Sequence, residues 1–248
     1  MTRILCIANQ KGGVGKTTTA ISLAVGVSKA GAKTLLIDLD PQCNATFGLG
    51  IMPATAHPLA SGEPLAGATI RTATPNLDIL PGIGRHGDAE ILTRSDQTQF
   101  ERMKEQLALE LNGYDFVMID CPPERGQLTQ VALAASTGVI IPVTCEFYAM
   151  DGLVQMVEVA KKIKPDFPYE GLEGIVETMY DHKHQLTYEI DEQIREFGGD
   201  YVYQTVIPRD VAISEAASHG LSILDYASRS RGARAYIELC LEILERVS

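Results

Sequence analysis

Short, continuously apolar runs recur along the chain, each followed by glycine, proline or aspartate, and amphipathic stretches of helical period lie between them. Residues 3–8, 34–37, 116–120, 139–143 and 172–178 read as strands buried on both faces, because such strands lose the in-out alternation of a half-exposed sheet. Residues 77–80 and 202–206 are shorter strand candidates. Helices are predicted over residues 17–29, with Ile21, Leu23, Ala24, Val27 and Ser28 facing inward, and over 95–111, with Phe100, Met103, Leu107 and Leu111 on one side. Ser95 is positioned to cap the second of these and Gly113 to stop it. Further helices are expected over 153–163, 188–197, 209–219 and 230–247. Strands alternating with helices predict an α/β fold, a mostly parallel twisted sheet with helices on both faces and right-handed crossovers. The Gly-, Pro-, Ala- and Thr-rich stretch 48–87 reads as a surface excursion, so residues 1–248 form a single domain.

Composition narrows the class. With 45% hydrophobic residues among 248, the chain can bury a full core. The five cysteines, Cys6, Cys43, Cys121, Cys145 and Cys240, stand singly, without zinc-site spacing, and are expected as reduced thiols. No apolar run approaches the roughly 18 residues of a membrane helix, and no charged leader precedes the first strand, so a cytoplasmic protein without a membrane partner is expected. The net charge of −11 repels polyanions, so any nucleic-acid contact requires a local basic patch.

Candidate chemistry gathers at the strand ends. Lys11-Gly12-Gly13-Val14-Gly15-Lys16-Thr17-Thr18 follows the first strand and opens the first helix. Glycines turn successive N–H groups toward one anion, the helix N-terminus adds partial positive charge, Lys16 supplies a mobile cation for the β and γ phosphates, and Thr17 offers a hydroxyl to Mg²⁺. The usual spacing places a glycine at position 10, where this chain has Gln10 followed by an additional lysine, Lys11. Apolar residues running into Asp120 form a Walker B pattern, with a carboxylate at the strand end for the metal shell. Asp38 and Asp40, two apart, project the same way while the strand persists; Asp38 is expected with Thr17 and Asp120 at the metal. A carboxylate in this turn either orients the attacking water or simply shapes the Asp-Pro-Gln bend.

Nearly the whole chain resembles the ParA/Soj branch of the ParA/MinD ATPases, which are P-loop NTPases. The resemblance rests on Lys11 to Thr18, Asp38-Leu39-Asp40-Pro41-Gln42, Asp120-Cys121-Pro122-Pro123, Val206-Ile207-Pro208-Arg209, the stretch Ser214 to Gly220, and Ser228 to Ala233. It implies a "deviant" Walker A motif, in which Lys11 reaches across an ATP-sandwiched homodimer, Gly12 and Gly13 let the two nucleotide faces approach, and Asp40 is the hydrolytic carboxylate. It further implies that Pro208, Arg209 and Asp210 lie near the adenine. ATP and Mg²⁺ are the implied cofactors. Nonspecific DNA, bound by the ATP dimer, and a ParB-like or cargo-adaptor activator of slow hydrolysis are the implied partners, with the protein nucleoid-associated and segregating plasmid or chromosome DNA.

Lys183, Arg229, Arg231 and Arg234 are the candidate DNA contacts, although Arg234 also has the spacing to pair with Glu238. Ala212 and Leu221 stand where the family often has basic residues, and Cys43 where it commonly has glycine. Three rival readings are a relative positioning a protein cargo, such as a carboxysome or chemoreceptor cluster, a membrane-cycling protein of the MinD branch, and an electron-transfer reductase like the nitrogenase iron protein. The chain ends in mixed charge, Glu242 to Ser248, unlike the basic amphipathic tail of the MinD branch, and the reductase would need cysteine cluster ligands, for which Cys121 and Cys145 are the candidates.

Overall fold

The computed structural model describes residues 1–84, 96–123, 126–167 and 171–246. In chain order its first elements are β1 (Arg3–Ile7), α1 (Lys16–Lys29), β2 (Thr34–Asp38), the short helices α2 (Asn44–Phe47) and α3 (Pro58–Ser61), β3 (Ile70–Arg71) and β4 (Leu77–Leu80). There follow α4 (Gln97–Glu110), β5 (Phe116–Asp120), α5 (Gln127–Ala135), β6 (Gly138–Thr144), α6 (Ala149–Ile163) and β7 (Leu172–Thr178). The chain closes with α7 (Gln185–Gly198), α8 (Val211–Ser218), α9 (Ile223–Tyr226) and α10 (Arg231–Glu245).

The strands form one sheet in the order β3-β4-β2-β5-β1-β6-β7, parallel throughout except for the edge pair β3 and β4. Successive side chains along β1 go to opposite faces: Ile4 and Cys6 join one core, with residues of α4, α5 and α6, while Leu5 and Ile7 join the other, with α1 and α10. Because β5 lies between β1 and β2, and Asp120 is level with both Ile7 and Asp38, the C-terminal ends of three neighbouring strands meet at one edge. Open parallel sheets bind ligands there, outside the strand ends. Among the described residues, no helix is long and apolar enough to cross a membrane.

Most predicted elements are present with shifted ends. The α4 helix is capped by Asp96, whose side chain accepts from the Gln99 N–H; the Ser95 expectation lies outside the described residues, as does Val247. The helix expected from 209 begins at Val211, because the Asp210 side chain caps it by accepting from the Ala212 N–H. Residues 202–206 are not a strand: only isolated bridges, Ile175 to Val202 and Tyr180 to Pro208, continue past β7. The Glu242 carboxylate takes the Gln204 and Thr205 N–H groups at 2.9 and 3.1 Å, satisfying donors a strand would have given to a ladder.

Candidate nucleotide-binding site

The loop between β1 and α1 is held open by backbone geometry. Gly13 and Gly15 adopt φ of +74° and +84°, in the left-handed region, and flank the buried Val14. Gly15 caps α1 without any side-chain hydrogen bond, so the positive end of that helix is left to a ligand. No atom stands within 4 Å of where a Cβ would lie on Gly12 or Gly13. Lys16 is folded over the loop, its Nζ donating to the Lys11 carbonyl at 3.0 Å. Burial lowers its pKa, against the opposing pull of the Asp120 and Asp40 charges. Thr17 and Thr18 lie half-buried in the first turn of α1.

Asn9 also shapes this loop. Its Oδ1 accepts from the Lys11 N–H at 3.0 Å and its Nδ2 donates to the Pro142 carbonyl at 2.8 Å, tying the loop to β6. A polar residue directly after an apolar strand was the available sequence signal.

The aspartates at the strand ends differ sharply. Asp38 is well supplied with donors: Oδ1 accepts from the Asp40 N–H at 3.1 Å, and Oδ2 accepts from the Thr46 N–H at 2.8 Å and the Thr46 hydroxyl at 2.6 Å. Burial raises its pKa to about 6 despite these bonds. It therefore holds the turn that presents Asp40, whose Oδ1 accepts from the Gln42 N–H at 2.9 Å. Cys43 closes this turn in the left-handed region with φ +54°, a conformation that favours glycine over residues with a Cβ. Burial, with the Asp38 and Asp40 charges, pushes its thiol up to about 11.

Asp120 is wholly buried, yet neither carboxylate oxygen completes a hydrogen bond. Burial raises its pKa well above the carboxylate range, as does the nearby Asp38 charge; the adjacent Thr17 hydroxyl and the Lys16 charge oppose this. A partnerless buried carboxylate beside a hydroxyl fits a hard cation, and Mg²⁺ suits such a site because it takes few protein ligands and completes its shell with water and phosphate. Among the described residues no cluster of three or more His, Cys, Asp or Glu could enclose a metal on its own. The residues that would hold Mg²⁺ are thus Thr17 and Asp120; Asp38, with three hydrogen bonds already on its carboxylate, is the less available of the two strand-end aspartates.

Lys11 sits at the rim. Its Nζ meets Glu146 Oε2 at 3.0 Å and the Thr144 hydroxyl at 3.4 Å on its own chain, and Arg209 approaches the other Glu146 oxygen at 3.8 Å. The loop at Pro208, Arg209 and Asp210 is therefore brought to the same side as Lys11. The Asp210 carboxylate is committed to the Ala212 and Gly232 N–H groups, so it is a clamp between α8 and α10. Arg229, Arg231 and Arg234 are exposed around the start of α10, and Lys183 is exposed before α7; none of the four forms an ion pair among the described residues, Arg234 with Glu238 included. All five cysteines are free and buried, in keeping with reduced thiols.

A left-handed glycine loop capping a helix, a lysine folded over it and a bare carboxylate on the adjacent strand end define a P-loop NTPase. A family model described as an AAA domain matches residues 2–170. The chain is 39% identical to chromosome partitioning protein ParA of Caulobacter vibrioides, covering 98% of this chain and 94% of that one. It is 40% identical to sporulation initiation inhibitor protein Soj of Bacillus subtilis, covering 98% of each. Among solved structures, one described as cobyrinic acid a,c-diamide synthase from Mycobacterium smegmatis, holding an ATP analogue and magnesium, superposes with a TM-score of 0.82 at 30% identity, covering 100% of this chain and 96% of that one. The chain belongs to the ParA/Soj-type ATPases of the ParA/MinD family.

Proposed function

We propose that this protein is a DNA-partition ATPase whose MgATP-bound homodimer binds nonspecific duplex DNA and is reset by slow, partner-stimulated hydrolysis in the nucleoid-associated cytoplasm. One observation carries the dimer: the phosphate loop faces outward, with no atom close above Gly12 and Gly13, and Lys11 is tethered at its rim by a long hydrogen bond to Thr144 and an ion pair to Glu146 in which the two side chains are 31% and 52% exposed. An exposed pair of this kind is worth about 0–1 kcal/mol, so Lys11 exchanges it readily for a phosphate across a dimer interface. Beside Lys11 lies an open cleft of about 420 Å³ lined by Gln10, Pro123, Tyr148 and Gly152, and Phe147 next to it is exposed. A second copy seated on this face would bury those rings.

Within the site each residue has a separate task. Gly13, Gly15 and the α1 N-terminus hold the phosphates, Lys16 follows their charge, and Arg209 with Pro208 borders the base. Asp40, 7% exposed and fixed by Asp38, orients the attacking water. Mg²⁺ held by Thr17 and Asp120 would neutralise phosphate charge. Lys11 then supplies positive charge against the negative charge that develops on the phosphates in the transition state. The exposed arginines at the start of α10 and exposed Lys183 are the residues that would supply the basic contacts a chain of net charge −11 requires for DNA.

The test is sedimentation with MgATP, MgADP and no nucleotide, alongside binding to random-sequence duplex DNA over a salt series. ATP-specific dimers and ATP-specific DNA binding that weakens steeply with salt are expected, with Lys11→Ala losing the dimer while retaining some nucleotide. An ATP dimer in Lys11→Ala like that of the wild type would refute the assignment of Lys11. A wild-type ATP dimer that ignores DNA at low salt would leave the dimeric ATPase and remove its DNA cargo.

A further inference from the structure

The phosphate loop is steadied from a direction that its own sequence does not reveal. Thr178, the last residue of β7, is buried, and its hydroxyl donates to the Val14 carbonyl at 2.9 Å, with the Val143 carbonyl farther away at 3.3 Å. Val14 is the single residue between the two left-handed glycines, where the loop backbone has most freedom to flip. In a trans peptide the C=O of one residue and the N–H of the next point in opposite directions. Pinning the Val14 carbonyl toward Thr178 therefore aims the Gly15 N–H away from β7, into the opening above the α1 N-terminus. The Thr178 methyl completes the support, lying 3.7 Å from where a Cβ on Gly15 would stand.

Thr178 is itself immobilised on both sides. Before it, the Glu177 carboxylate binds Arg195 at 2.8 Å and accepts from the Cys145 thiol at 3.1 Å, while the Glu177 carbonyl accepts from the Ile207 N–H at 2.8 Å. After it, Met179 takes a left-handed φ of +52°, and Tyr180 then exchanges hydrogen bonds with the 207–209 loop: its N–H to the Ile207 carbonyl at 2.9 Å, and its carbonyl from the Arg209 N–H at 3.1 Å. A non-glycine residue held in that region persists only where its surroundings over-determine it. The end of β7 is thus a fixed post between the phosphate loop and the loop carrying Arg209.

We infer that Thr178 is a positioning residue for nucleotide binding, its hydroxyl fixing the Val14–Gly15 peptide so that the Gly15 N–H faces the phosphates. The inference rests on the nucleotide site proposed above. Thr178→Val keeps the side-chain shape and leaves the Val14 carbonyl without a donor; Thr178→Ser keeps the hydroxyl and drops the methyl.

Isothermal titration with MgATP and with MgADP, and melting of each nucleotide-free variant, test it. Because both nucleotides use the same cradle, Thr178→Val is expected to weaken both by about five- to tenfold, the equivalent of one hydrogen bond. Thr178→Ser is expected to bind within about twofold of the wild type, as the hydroxyl donor survives. Should Thr178→Val fail to fold, Thr178→Ala replaces it, since it also removes the hydroxyl. Binding by Thr178→Val, or by its Ala substitute, equal to that of the wild type overturns the inference. So does equal weakening in Thr178→Ser, which would assign the effect to packing. If the wild type itself ignores MgATP, the nucleotide reading fails first and takes this inference with it.

Discussion

Replacing Asp120 by asparagine sets two demands of the site against each other. The carboxylate is fully buried, its two oxygens lack hydrogen-bond partners, and both burial and Asp38 raise its pKa. An unsatisfied buried polar group costs about 1–3 kcal/mol, and more when charged. An amide of the same shape removes the charged part of that cost, and we take about 2 kcal/mol as the gain, equivalent to a melting temperature higher by roughly 4–8 °C for a domain of this size. The sign follows from linkage. A carboxyl whose pKa is raised on folding stabilises the folded state fully only below its unfolded pKa, and that contribution is lost as pH rises. The advantage of Asp120→Asn is therefore expected at pH 8 and shrinks toward pH 4. With nucleotide and Mg²⁺ the order reverses: a ligand at 100 times its Kd stabilises the wild type by about 2.7 kcal/mol, and the variant lacks the carboxylate that would hold the ion. Scanning calorimetry of both proteins, in EDTA and in MgADP, reads all of this. A variant less stable than the wild type in EDTA, or one that keeps the full Mg²⁺-dependent increment, refutes the reasoning.

Asp40→Ala is expected to bind MgATP within a few-fold of the wild type and to hydrolyse it about 100-fold more slowly or worse, the usual cost of losing a group that orients or accepts a proton; single-turnover phosphate release measures this, and unchanged turnover with the activating partner present counts against Asp40. Burial raises the Glu177 carboxyl to about 7 from an ordinary value near 4.5. Its contribution to stability is therefore complete below about pH 4.5 and lost by pH 7, on the order of 3 kcal/mol at about 1.4 kcal/mol per unit. Chemical denaturation from pH 5 to 7 is expected to show a steeper decline for the wild type than for Glu177→Gln; parallel curves would exclude Glu177 as the source.

The sheet was legible because its central strands are short runs of apolar residues buried on both faces, a pattern that needs no distant information. The phosphate loop was legible for the same reason, its glycines and Lys16 being neighbours in sequence. Elements fixed by distant partners were not. The α5 helix has Gly126 at its N-cap, with no Ser, Thr, Asp or Asn there to announce it. The strand expected at residues 202–206 is undone by Glu242, which lies on the last helix. The post at Thr178 depends on a contact spanning 164 residues.

The hardest distinction was between Asp38 and Asp120, chemically identical residues at the ends of adjacent strands, both expected at the metal. What separates them is the supply of donors in the residues that follow. Asp38 is followed by a turn and a short helix that return the Asp40 and Thr46 N–H groups and the Thr46 hydroxyl to its oxygens. After Asp120 the Cys121 N–H is spent on the Ile7 carbonyl, and Pro122 and Pro123 have no N–H to give. A carboxylate delivered into the sheet edge and followed by two prolines is starved of local donors, so a cation is the partner left to it. That signal was present in the sequence as Asp-Cys-Pro-Pro. Its meaning depended on knowing that the cysteine's backbone N–H was already committed to the neighbouring strand.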